Sequence, residues 1–270
     1  MTIDLDEAGR HVSDAAAFHL PFHKAIPLPE VFGFQITKYM VLEWLVAVLM
    51  VIIFVPLARR VASGNPVRGR LGNMFEAMLV FLRDEVARPA IGRHDADRFL
   101  PYIWTAFFFI LFCNLMGMLP WAGSPTGSLA VTGALAAIAF SMVIGAGMRR
   151  HGTVKFWIGM VPQVEVPLVL AAFLIPMLLA IEVAGLLIRH SVLAVRLLAN
   201  MFAGHLVLAV VIGFIASSAN LYLVLWLGVS AGSVFGAAAL NLLELLVAFL
   251  QAYIFTFLSA VFIGMAIHQH

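Results

Sequence analysis

The chain has 270 residues, of which 63% are hydrophobic and only 11% charged, less than half the charged share of an ordinary soluble domain. That excludes a water-soluble globule and reads as a polytopic membrane protein. The net charge of +2 does not build a nucleic-acid-binding face, because the basic residues cluster in short stretches. The single cysteine, Cys113, excludes an internal disulfide and a multi-thiolate metal site.

Residues 1–38 read as a segment outside the membrane domain, and 39–270 as one membrane domain. The chain starts acidic, with Asp4, Asp6 and Glu7, and lacks the apolar core and small-residue cleavage site of a signal peptide. The Pro-rich stretch LPFHKAIPLPEVFGF suits an ordered or surface-lying lead-in. A first span is predicted over about 39–57, closed by Arg59 and Arg60. Leu71, Met74, Phe75, Met78, Leu79 and Leu82 then recur at helical spacing among eight arginines and five acids. They predict an amphipathic helix over about 71–88, lying along the interface or covering the helix bundle.

Spans two and three are predicted over about 101–119 and 128–148, joined by the turn PWAGSPTG. Eleven of the sixteen Lys and Arg residues fall in 59–100 and 149–155, the stretches flanking this hairpin. The positive-inside rule puts both on the cytoplasmic side and the amino terminus outside.

The remaining two apolar runs, about 166–217 and 221–267, are each too long for one upright crossing of roughly twenty residues. No Gly/Pro/Asn cluster near Arg189 supplies a turn. The first run therefore predicts one long helix, or two end to end, crossing at a slant. Each run counts as one crossing, which makes five and leaves the carboxyl terminus cytoplasmic. Pro162, Pro167 and Pro176 mark an irregular entry into the first of these runs.

From Trp157 to Ile267 only Glu165, Glu182, Arg189, Arg196 and Glu244 carry formal charge. Arg196 has long apolar runs on both sides, and its guanidinium does not escape the membrane by neutralising. It therefore calls for a water-filled cavity, a partner charge or a moving group. Glu182, Arg196 and Asn200 share a broad face if the helix is continuous, while Glu244 and Gln251, seven apart, line one stripe. Between antiparallel helices, His205 with Glu244 centres on position 224.5 and Arg196 with Gln251 on 223.5, so both pairs stand level. Level is not facing: His205 lies about half a turn from Arg196. A His–Glu pair within a membrane suits a proton relay, since both groups titrate near neutral pH. A purely structural pair, a salt bridge from Arg196 to Glu182 or Glu244, and amide cross-links from Asn200 and Gln251 are the competing readings. Arg189 and His190 are expected near a wet boundary.

The stretch RLLANMFAGH (Arg196 to His205) resembles the signature of subunit a of the F-type ATP synthase membrane sector. CNLMGMLP (Cys113 to Pro120), Glu182 and LQAYIF (Leu250 to Phe255) are similar to the same family, and the likeness covers nearly all the chain from the first span onward. The resemblance implies an all-α polytopic fold with an upright first span, an interfacial helix, a two-helix hairpin and two long tilted antiparallel helices. It implies that Arg196 is the stator arginine facing the c-ring carboxylates, with Asn200 and Gln251 beside it. Glu182 would belong to the cytoplasmic half-channel, and His205 and Glu244 to the opposite one. In the best-studied enterobacterial form the histidine and glutamate of that pair are exchanged. The implied function is a proton-translocating stator subunit without its own catalytic site, cofactor or metal. The implied partners are c-ring proteolipid subunits, peripheral-stalk b-type subunits, the remaining ATP synthase subunits and membrane lipid, with no nucleic acid. A bacterial inner membrane is the expected location. A secondary cation/proton transporter using the same buried Arg/His/Glu site is the alternative, disfavoured by the lack of an inverted repeat.

Overall fold

The computed structural model describes residues 17–19, 25–31, 34–64, 69–119, 123–161, 168–218 and 222–268. Two short antiparallel pairs come first: β1 (Ala17–His19) with β2 (Ala25–Pro27), and β3 (Glu30–Val31) with β4 (Phe34–Gln35). They give local order to the Pro-rich lead-in, and Gln35 Nε2 donates to the Leu28 carbonyl at 3.1 Å across it. Everything else regular among the described residues is helical.

Helix α1 (Lys38–Ala62) starts where the Thr37 hydroxyl accepts from the Met40 N–H, and it ends on Arg59 and Arg60. After it comes an interfacial segment: α2 (Arg70–Phe81), a π-helical turn (Leu82–Ala87) and α3 (Arg88–Ile91). The wide turn was not expected, and its cause is Pro89. Proline has no N–H to give the Glu85 carbonyl, and its ring crowds that position in a regular helix. The widened turn keeps the segment continuous while Leu82, Val86, Ala87 and Ile91 become fully buried. At its surface Arg83 grips Asp84 through Nε and Nη2 (3.0 and 3.1 Å), and Arg88 Nη1 reaches the same carboxylate at 2.7 Å. These bonds, the Arg83 one foremost, hold the Asp84 carboxyl below the usual carboxylate range against an opposing effect of desolvation.

The hairpin consists of α4 (Ala96–Gly117), a 3₁₀ turn (Pro125–Gly127) and α5 (Leu129–His151), followed by the short α6 (Thr153–Gly159). Trp104 Nε1 donates to the Leu79 carbonyl at 3.0 Å, tying α4 to the interfacial segment. Two very long helices complete the chain, α7 (Leu168–Ser217, 50 residues) and α8 (Leu223–Ile267, 45 residues). At about 1.5 Å per residue they are roughly 75 and 68 Å long, more than twice the ~30 Å of bilayer hydrocarbon. Arg189, His190 and Ser191 lie within α7 without a break, so of the two arrangements left open the single helix is found. Pro176 also lies inside it, whereas Pro162 and Pro167 lie outside the described residues.

Among the described residues, five helices are long and apolar enough to cross a membrane: α1, α4, α5, α7 and α8. The architecture is all-α and polytopic. Its core joins the interfacial segment, α4, α5 and the second half of α8, around Phe107, Phe108, Ile103, Phe255 and Ile263. The end of α8 is clamped three times. Gly264 lies so close to the Ala90 carbonyl that a Cβ there would overlap it. His151 Nε2 pairs with the Ile267 carbonyl and His268 Nε2 with the Ile91 carbonyl, each at 2.9 Å.

Candidate functional site

The site residues ride on α7 and α8, whose relative register is visible in two contacts. The Glu244 carboxylate lies over Gly204, where an added Cβ would stand 3.0 Å from Oε1, and Val211 packs beside Gly236. These pairs centre on 224 and 223.5, against the 224.5 and 223.5 read from the residue numbers of the proposed polar pairs. Glycine at 204 gives the carboxylate room, since a Cβ there would make it yield by a few tenths of an ångström. His205 is the next residue of α7, and its side chain lies outside the described residues. Glu244 itself is buried, at 8% exposure.

Extended eight residues along α7, the same register sets Arg196 level with Gln251. Both carry unmet hydrogen-bonding capacity: Arg196 Nε and Nη2, and Gln251 Oε1, are buried without a partner among the described residues. Arg196 makes no ion pair with Glu182 or Glu244 among those residues, so the salt-bridge reading falls. Glu182 and Asn200 are partly exposed on α7. Buried polar atoms in folded proteins are nearly always paired, and exceptions mark a place for water, an ion or another molecule.

His190 corrects an expectation. It is 3% exposed rather than at a wet boundary, with Nδ1 on the Leu186 carbonyl at 2.8 Å and its ring between Phe140 and Phe262. Helix α5 covers it, which its position in α7 alone does not reveal. Arg189 beside it is exposed.

Sequence reasoning also missed how α8 is held at the level of the site. Asn114 is fully buried, and its Nδ2 donates to the Ala248 carbonyl at 3.2 Å, one turn from Glu244. Thr126 Oγ1 donates to Asn114 Oδ1 at 2.7 Å, which commits its one proton. Ser124 Oγ, 2.6 Å away, is therefore the donor between the two hydroxyls, with the Cys113 carbonyl at 3.2 Å as a second acceptor. Gly117 lets Ser124 and Met201 approach closely, so the turn after α4 packs directly on α7 next to Asn200. The motif CNLMG was a signal for this arrangement, but its partners lie up to 134 residues away.

Unmet arginine donors and buried carboxylate and amide groups along two paired apolar helices define a class: integral membrane proteins that move charge across the bilayer. The sequence profile described as ATP synthase A chain matches residues 40–264. An ATP synthase subunit a from Myxococcus xanthus is 40% identical over 239 residues, covering 87% of this chain and 75% of that protein. One from Anaeromyxobacter dehalogenans is 40% identical over 237 residues, covering 87% and 58%. One from Chloroherpeton thalassium is 35% identical over 280 residues, covering 97% and 76%. The chain belongs to the ATP synthase subunit a family, the proton-translocating subunits of the membrane-embedded F0 sector. The secondary-transporter alternative is not favoured.

Proposed function

We propose that this chain is the stator against which a ring of c-type proteolipids turns, with Arg196 as the charge that couples proton flow to rotation. Protons enter an external half-channel past Glu244 and His205 and neutralise a ring carboxylate. The neutral group crosses lipid at far lower desolvation cost than the ion. After nearly a full turn it meets the second half-channel, lined by Glu182, on the cytoplasmic side. The fixed charge of Arg196 favours the ionised carboxylate there, and Asn200 and Gln251 hold the polar surroundings of the guanidinium. Each charge that crosses gains about 2.3 kcal/mol per 100 mV, so several protons must be coupled to each ATP. Synthesis itself takes place on other subunits.

The observation that carries this reading is the unmet donor set of Arg196 and the unmet acceptor of Gln251, level with each other on the two paired helices. Such a pair is costly in an apolar helix unless an anion or water completes it. The reading includes peripheral-stalk b-type subunits as further partners and a bacterial inner membrane as location. It also includes an external segment 1–38 and a single membrane domain 39–270 with a cytoplasmic carboxyl end. Arg196→Ala tests it in inverted vesicles: ATP-driven proton pumping is expected to vanish, and normal pumping would refute the assignment. The level pairing is tested by H205C/E244C, expected to cross-link in the assembled complex.

A further inference from the structure

A cavity of about 610 Å³ lies between the start of α4 and the end of α5, with Ile267 of α8 also lining it. Arg98, Arg149 and Arg150 all line it, together with the carboxylate of Asp95. All three arginines are exposed, and none forms an ion pair among the described residues. Three positive charges against one negative leave the mouth of the cavity cationic.

Its walls differ from its mouth. On α5, Ser141, Gly145 and Arg149 follow one another at i, i+4, i+8, as do Met142, Ala146 and Arg150. Residues four apart lie one above the other on a helix. Each arginine therefore stands at the end of a row of small or apolar residues that runs back into the span. Phe99, next to Arg98, forms part of the facing wall. Gly145 leaves open space, since an added Cβ would meet nothing within 4 Å.

We propose that this cavity is a site for one anionic phospholipid, its phosphate held by Arg98, Arg149 and Arg150 and an acyl chain laid along Gly145 and Ala146. The cationic end sits where α5 leaves the apolar zone, which is the depth of a lipid phosphate, and the apolar rows continue in the direction of the acyl tail. A free phosphate would satisfy the arginines but leave the rows uncovered. An acidic protein segment would match the charge but not the open groove within the span.

The test uses the assembled, delipidated complex and native mass spectrometry over a titration of phosphatidylglycerol or phosphatidylcholine. Wild type is expected to retain one phosphatidylglycerol and not phosphatidylcholine. With each interfacial arginine worth about a fivefold change in lipid binding, R98Q/R149Q/R150Q should weaken retention on the order of a hundredfold. Gly145→Phe keeps every arginine and fills the groove, and it is expected to abolish retention even if the triple variant does not assemble. Glycerol 3-phosphate should fail to displace the lipid at matched concentration. Equal retention of phosphatidylcholine overturns the proposal, as does unchanged phosphatidylglycerol binding in either variant. Displacement by glycerol 3-phosphate would show a free-phosphate site instead. A photo-cross-linking p-benzoylphenylalanine at position 145 that captured a protein subunit rather than lipid would likewise overturn it.

Discussion

The two halves of α8 share one helix and one apolar composition yet do opposite jobs. From Ala248 onward its small and polar residues are buried: Ala252, Thr256, Ser259, Ala260 and Gly264 let α4, α5 and the interfacial segment press close. Before Glu244, large side chains such as Leu225, Phe235, Leu242 and Leu243 stand exposed, and the facing part of α7 exposes Leu206, Val207, Val210 and Phe214. One half is frame and the other is surface. What separates them is where small residues meet a neighbouring backbone, not hydrophobicity, and the polar site lies at the junction.

Removing charge from the junction gives the largest expected effect. Arg196→Ala should eliminate coupled ATP synthesis in vesicles while the amount of assembled chain stays at the wild-type level. In the frame half, Gly264→Ala drives a Cβ into the Ala90 carbonyl. Overpacking against backbone should cost about 3 kcal/mol, measured by detergent denaturation of the purified chain. Thr126→Val keeps the shape but strips the proton from Asn114 Oδ1, and a loss of about 1–2 kcal/mol is expected in the same titration. Gly232→Ala repeats the glycine substitution in the surface half, where a Cβ meets nothing within 4 Å. Stability should hold or rise by about 0.5–1 kcal/mol, and a loss as large as that of Gly264→Ala would erase the contrast between the halves.

The smallest effect concerns pH at the interfacial segment. Asp84 has its folded-state pKa lowered by Arg83 and Arg88. Its contribution is complete above the unfolded carboxylate value of about 4 and is lost as pH falls through the lower folded value. Asp84→Asn should lower stability slightly at neutral pH and converge with wild type below the folded value, so that the acid limb of the profile flattens, as detergent denaturation from neutral to acid pH would report.

Much of this was legible in the sequence because membrane solvation imposes one-dimensional rules. Apolar runs became the helices, and the lack of a turn signal near Arg189 corresponds to the unbroken α7. Register between α7 and α8 could be read by counting, because two antiparallel helices of equal rise keep a constant midpoint. Features that depend on a third element were not legible. The burial of His190 needs Phe140 of α5 and Phe262 of α8, and the Asn114 bond needs a carbonyl 134 residues away. The clamps from His151 and His268 join helix ends that no local pattern links. The π-helical turn had a visible cause in Pro89, but a proline equally permits a kink or a helix end.

The string from Ser124 through Thr126 and Asn114 to the Ala248 carbonyl has a consequence for leakage. A Grotthuss wire needs every link to accept a proton on one side and release one on the other. Here two hydroxyls feed into a carboxamide, and the carboxamide feeds into a peptide oxygen. Neither of those last groups gives up or takes on a proton readily at neutral pH. Polarity is thus brought into the membrane to tether α8 one turn from Glu244, yet the string ends as an insulator. A hydroxyl or carboxyl in place of Asn114 would extend the conducting part by one link toward the carboxylate it now only steadies.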